Sequence, residues 1–232
     1  MTNEFDEEYS QKQLVRIRIL VHKYRDFITL AILAAFFIIF PLFEDTHFGN
    51  LLMIILVNMF LLAGLFSISD KPRQLVIGAL LAAPLFLIGW IWYFLPSKGA
   101  DVSLLIVFIL FLTYILLLIV RRILLAREVT RFEISRAIMV YIIIGMIFGM
   151  IYMLMEYLSS GSFMISSGKI TLSALFYFSF VALSTTGFGD IYAVAPLARS
   201  VVIIEMLIGV MYMAVLIGLL INAFRVNLLD KQ

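Results

Sequence analysis

Residues 177–190 read Tyr177-Phe178-Ser179-Phe180-Val181-Ala182-Leu183-Ser184-Thr185-Thr186-Gly187-Phe188-Gly189-Asp190. The apolar run that leads into this stretch, Ile170–Leu183, is too short to cross a bilayer, which takes about 20 apolar residues as a helix. Apolar segments of that length read as re-entrant or interfacial. Two glycines then alternate with bulkier residues in a turn that a lipid-facing helix would not make. Irregular backbone at membrane depth is tolerated only where it is buried in protein or lines water. The stretch therefore predicts a short helix followed by an open loop, and the rest of the chain has to frame it.

Composition agrees with a membrane setting. The 232 residues are 64% hydrophobic and 14% charged, with a mean hydropathy of +1.12. Soluble domains run near half apolar and about a quarter charged. Charge-free runs span Phe27–Phe43, Thr46–Ser69, Gln74–Ser97, Val102–Val120 and Ala137–Met155, and a last run, Ser200–Phe224, is broken only by Glu205. These six candidate spans must be helical, because lipid offers the backbone no hydrogen-bond partner. The fold class expected is an all-α membrane protein with six transmembrane helices and a re-entrant pore helix.

Basic residues orient the spans. With the N-terminus inside, Lys12, Arg16, Arg18, Lys23, Arg25, Lys71, Arg73, Arg121, Arg122, Arg127, Arg131, Arg136, Arg225 and Lys231 face the cytosol, and only Lys98, Lys169 and Arg199 face out. Both termini are then cytoplasmic, in a multi-pass protein of the plasma membrane. The acidic start Met1–Ser10 does not resemble a cleavable signal peptide. Organisation is expected as a cytoplasmic segment 1–26, a four-helix front half 27–120, an amphipathic linker helix 121–136, a rear unit 137–224 and a short cytoplasmic tail 225–232. A cytosolic extension of the neighbouring helices is the other account of 121–136. No nucleotide- or calcium-binding domain is expected after the last span.

Several classes are disfavoured. The absence of cysteine removes disulfides and thiolate metal sites. His22 and His47 stand apart from any ligand cluster, no catalytic cluster or phosphate loop is present, and the net charge of +2 gives no reason to expect nucleic acid. Neither an enzyme nor an organic cofactor is expected.

The loop itself carries the chemistry. Gly187 and Gly189 can adopt backbone angles closed to other residues, so carbonyls can be turned to one side, and Thr185 adds a hydroxyl. A row of such oxygens replaces the hydration shell of a dehydrated cation. One strand supplies too few of them, whereas four symmetric copies supply a ring at each level, which asks for a closed homotetramer.

Here the chain resembles the tetrameric potassium channels of the six-span, voltage-gated-like architecture. Their filter reads Thr-Val-Gly-Tyr-Gly-Asp against Thr185-Thr186-Gly187-Phe188-Gly189-Asp190, and Tyr177–Ser184 matches their aromatic-rich pore helix. The similarity is strong over about 137–224 and only architectural over 27–120. The resemblance implies a K+-selective channel with K+ held at Thr185, Thr186, Gly187 and Phe188, and with membrane lipid and other copies of the chain as partners. Asp190 and Tyr192 are then at the outer mouth. Tyr177 and Phe178 support the filter, Glu156 bonds the backbone after it, and Glu205 braces the pore helix or filter from behind. Gly209, twenty residues after Gly189, is either a hinge of the inner helix or a small residue for close packing. Met213, Ile217 and Ile221 share one helix face and would line the pore below it. Phe188 and Thr186 depart from the family pattern, which leaves a weakly selective cation channel as one alternative; a non-conducting regulatory subunit is another, and the near-complete filter argues against it.

The front half differs from the family's voltage sensors. Val102–Val120 contains no arginine, and Arg121 and Arg122 lie at its inner end. A voltage-insensitive channel is expected, since each charge carried through the field contributes about 2.3 kcal/mol per 100 mV.

Overall fold

The computed structural model describes residues 26–44, 46–68, 72–95, 97–125 and 131–229. Among them the element order is α1 (Asp26–Phe43), α2 (His47–Ile68), α3 (Pro72–Phe94), α4 (Lys98–Leu125), α5 (Arg131–Leu158), β1 (Phe163–Ile165), α6 (Leu172–Leu183), β2 (Ile191–Ala193) and α7 (Pro196–Leu229). Five stretches, Asp26–Phe43, Pro72–Phe94, Lys98–Leu125, Glu133–Leu158 and Pro196–Gly218, are long and apolar enough to span a membrane. The chain is thus a largely helical membrane protein. The second expected span falls on α2, a helix of 22 residues whose described apolar stretch is Leu51–Leu65. The expected tails 1–25 and 230–232, and the cationic groups on them, lie outside the described residues.

Of the expected linker 121–136, residues 126–130 lie outside the described residues. Residues 121–125 close α4 and residues 131–136 open α5. Arg136 works at the start of α5, where its guanidinium donates to Asp26 at 2.8 Å and to Glu133 at 2.8 Å. This ties the beginning of α1 to the beginning of α5.

Among the described residues the helical architecture carries one small sheet. β1 and β2 pair antiparallel in the register Phe163↔Ala193, Met164↔Tyr192 and Ile165↔Ile191. Each strand has three residues, too few for a period-2 pattern to stand out, and α6 separates them.

One core runs through both halves of the chain. Phe111 and Leu112 of α4 are fully buried with Met139 and Ile143 of α5 and Phe36 of α1. Aromatic rings join the front half to α6: Phe37 meets Phe176 at 5.7 Å and Phe180 at 5.1 Å, both edge-on. Such pairs each contribute about 0.5–1.5 kcal/mol beyond area burial. A second core gathers Tyr152, Phe163, Leu175, Phe178, Ile191 and Ala198 around the β1–β2 pair, so the segments on either side of α6 are fixed to each other.

Candidate functional site

α6 is set at both ends. Thr171 is its N-cap, in an extended conformation, and its hydroxyl accepts from the Ala174 amide at 3.3 Å. Glu44, just beyond α1, adds a second cap by accepting from the Ser173 amide at 3.2 Å and from the Ser173 hydroxyl. A carboxylate is favoured there by the unpaired N–H groups and the positive end of the helix dipole. The flank of α6 beds into α5 at two glycines. A Cβ on Gly145 would lie 2.6 Å from the Phe180 ring, and one on Gly149 would lie 2.4 Å from the Phe176 ring. Glycines spaced by four place the two gaps on one helix face.

Behind α6 is a buried polar knot. Glu205 of α7, fully buried, accepts from the Tyr152 hydroxyl of α5 and bonds the Ser179 hydroxyl of α6. Ser179 also donates to the Gly145 carbonyl at 2.7 Å. Three helices therefore meet at one carboxyl group. The bracing expected of Glu205 is directed at α6. Glu156 is placed differently from the expectation: it accepts from the amides of Gly161 at 2.7 Å and Phe163 at 3.1 Å, ahead of α6. It acts on the backbone after the loop only through β1, which pairs with β2.

The loop leaves α6 at Ser184 with an unusual backbone. Thr185, Gly187 and Gly189 have φ of +56°, +62° and +79°, while Thr186 and Phe188 between them stay negative. In an ordinary strand successive residues face opposite ways. Reversing the sign of φ at every second residue undoes this alternation and turns the carbonyls toward a common side. Thr185 is the one described residue other than glycine with positive φ, a conformation disfavoured by contact with its Cβ. Two amides hold it, since Thr185 N donates to the Ala182 carbonyl at 2.9 Å and Thr186 N to the Val181 carbonyl at 3.0 Å. Among the described residues, no backbone or side-chain donor bonds the carbonyls of Thr185, Thr186, Gly187, Phe188 or Gly189. All five residues are exposed.

Side chains stiffen the loop from one side. The Thr186 hydroxyl lies 2.8 Å from the Ser184 hydroxyl. Phe188, 69% exposed, stacks on Tyr177 with ring centroids 6.4 Å apart and an interplanar angle of 3°. The Tyr177 hydroxyl also interacts with Asp190. Phe178 packs in the second core, 5.4 Å from Tyr152 and 5.7 Å from Phe163, and lines a shared pocket with Thr185, Gly187 and Gly189. Tyr192 lies on β2 opposite Met164, half exposed beyond Asp190. Arg199 ties that strand to α7 by donating to the Ala193 carbonyl at 3.1 Å.

α7 passes through Gly209 without a break. A Cβ on Gly209 would sit 2.0 Å from the Leu183 carbonyl oxygen, so close packing accounts for this glycine. Met213 and Ile217 are exposed, and the side chain of Ile221 lies outside the described residues.

Glu44, Ser179, Tyr152, Gly145 and Gly149 are supports that the sequence reading did not single out. The two glycines had a visible signal in their spacing. Glu44 had none, being 129 residues from its partner.

The geometry is an irregular, carbonyl-rich loop held between membrane helices by a buried scaffold. Comparison with known proteins agrees with it. A family model described as an ion channel matches residues 137–226, which begin in the first turns of α5 and end within α7. No curated protein and no solved structure matches the chain. The similarity is to a protein that passes ions through the membrane and not to an enzyme, and it falls on the part of the chain that holds the loop: over residues 137–226 this membrane protein is similar to ion channels.

Proposed function

We propose that four copies of this chain assemble around one axis in the plasma membrane, with both termini in the cytosol, and conduct K+ through a filter made of Thr185–Gly189. The observation that carries this reading is the run of five exposed residues whose carbonyls have no donor among the described residues, on a backbone of alternating handedness. Unpaired backbone at membrane depth is costly unless it meets water or a ligand. Rings of carbonyl oxygen substitute for the hydration shell of K+, and the Thr185 hydroxyl supplies a further ring at the inner end.

The uneven cover of the helices supports assembly. In the most apolar window, half of α5 is buried within the chain but only 11% of α7. α7 then faces neighbouring copies and the axis, with Met213, Ile217 and Ile221 along the conduit below the filter. Asp190 and Tyr192 form the outer mouth, where the carboxylate concentrates cations.

Between residues 102 and 120, α4 carries no Lys, Arg, Asp or Glu. Nothing there performs work in the transmembrane field, so conduction is independent of voltage.

Purified protein in liposomes with opposed K+ and Na+ gradients tests the reading. The expected reversal potential follows K+, and the conductance is flat between symmetric solutions. Equal K+ and Na+ flux would demote the filter to a weakly selective cation pore. Monomers alone by native mass spectrometry would remove the filter altogether.

A further inference from the structure

Away from the loop, the ends of α1, α3, α4 and α5 on the side of the Thr171 cap, with Met53–Asn58 of α2, line a half-open cavity of about 350 Å³. Its walls are mostly apolar and aromatic, Phe108 among them, yet they present two carboxylates, Glu44 and Asp101. No Lys, Arg or His lines it among the described residues. Both carboxylates are oriented. Asp101 accepts from the Trp92 indole N–H at 2.6 Å and interacts with the Tyr157 hydroxyl, while Glu44 is fixed by Ser173.

Gly89 supplies the second observation. It lies within α3, is buried, and lines the cavity. A Cβ built on it meets nothing within 4 Å, so no neighbour forces a glycine there. Glycine inside a helix costs about 0.5–1 kcal/mol relative to alanine. Its presence keeps a space open that a side chain would fill.

We propose that this cavity is a binding site for an organic ammonium ion with a small apolar body. The size is within the usual range of small-molecule sites, which are largely apolar with a few placed polar groups. The two carboxylates select a cation. Trp92, Tyr157 and Phe108 line the same cavity, aromatic rings attract an ammonium group, and a neutral lipid tail would leave both carboxylate charges without a counter-ion. Such a site binds its ligand whether or not the chain conducts ions.

The chain has two tryptophans, and Trp90 has a buried indole N–H without a partner, so Trp90→Phe is a tolerated change that leaves Trp92 as the sole indole. Phenethylammonium titrated into this full-length protein in detergent should change the Trp92 emission along a saturating curve. Adding Asp101→Asn should weaken the apparent affinity at least tenfold, and Gly89→Leu should abolish the response. Glu44→Gln replaces Asp101→Asn should that variant fail to fold, with the same loss expected. The proposal is overturned by an equal response to neutral 2-phenylethanol, which would mark an apolar or lipid-tail site. A saturating response to Ca2+ alone would mark an inorganic ion site instead and overturn it equally, as would curves unaltered by the substitutions.

Discussion

Gly209 of α7 lies so close to the end of α6 that a methyl group on it would overlap the Leu183 carbonyl, with a Cβ–O separation of 2.0 Å. The obstacle is backbone, which cannot rotate aside as a side chain does. Leu183 is followed at once by Ser184 and the loop, so any displacement here reaches Thr185 and Thr186.

Gly209→Ala is therefore expected to destabilise the protein despite alanine's better helix propensity. Overpacking of this kind costs about 1–3 kcal/mol, against a propensity gain of up to about 1 kcal/mol. Gly218→Ala in the same helix is the control, since a Cβ there meets nothing within 4 Å. Thermal unfolding in detergent should show a lower midpoint for Gly209→Ala and an unchanged or higher one for Gly218→Ala. Equal midpoints would refute the close contact.

The knot at Glu205 predicts a difference between two substitutions. Ser179 has one hydroxyl proton but faces two oxygens, the Gly145 carbonyl and the Glu205 carboxyl. A glutamine at 205 can donate its amide to Ser179 and accept from Tyr152, keeping all three bonds. A leucine leaves the buried Tyr152 hydroxyl unpaired, at about 1–3 kcal/mol. Glu205→Gln should thus unfold close to the wild type, and Glu205→Leu clearly earlier. Glu205→Gln unfolding as early as Glu205→Leu in a urea or heat titration would show that the knot depends on charge instead of on hydrogen bonding.

The sequence made some of this architecture legible and hid the rest for identifiable reasons. The spans announce themselves because a charge-free run of bilayer length has few other uses, and α1, α3, α4, α5 and α7 lie where those runs are. Thr185–Gly189 stood out because glycines at membrane depth are unusual, and the positive φ at Gly187 and Gly189 gives that pattern its cause. What escaped was the scaffold. Glu44 meets Ser173 across 129 positions and Ser179 meets Glu205 across 26, and no local periodicity reports such pairs. Glu156 was visible as a carboxylate near a helix end, but its partners follow from how the chain turns between Leu158 and Phe163, which spacing does not determine.

Glu44 caps a helix from a different part of the chain, so its removal should loosen α6 locally without unfolding the bundle. Loss of an N-cap costs about 0.5–2 kcal/mol, and 1.4 kcal/mol corresponds to about a tenfold change in an opening equilibrium. Hydrogen exchange should show the first-turn amides Leu172–Leu175 exchanging about tenfold faster in Glu44→Ala, while the Met139–Met146 segment of α5 is unaffected. Unchanged exchange at Ser173 would mean that Thr171 alone holds the helix end.

Gly187 offers the most direct test of what the loop does. Its φ is +62°, and the space around it is open, with nothing within 4 Å of an added Cβ. The obstacle to a side chain is therefore conformational, about 1–2 kcal/mol for an L-residue in the left-handed region. An alanine can relieve that strain only by giving up the positive φ, which rotates the adjoining peptide planes and takes at least one carbonyl out of the common direction. Gly168, with φ of +97° in the loop before α6 and equally open surroundings, likewise holds a positive φ that strains an L-residue, away from Thr185–Gly189. Gly187→Ala should retain helical content and assembly but lose at least tenfold in K+ flux from liposomes, or its preference over Na+. Gly168→Ala should show a comparable drop in thermal stability with flux and ion preference intact. If both variants conduct alike, backbone direction at Gly187 is not what selects the ion.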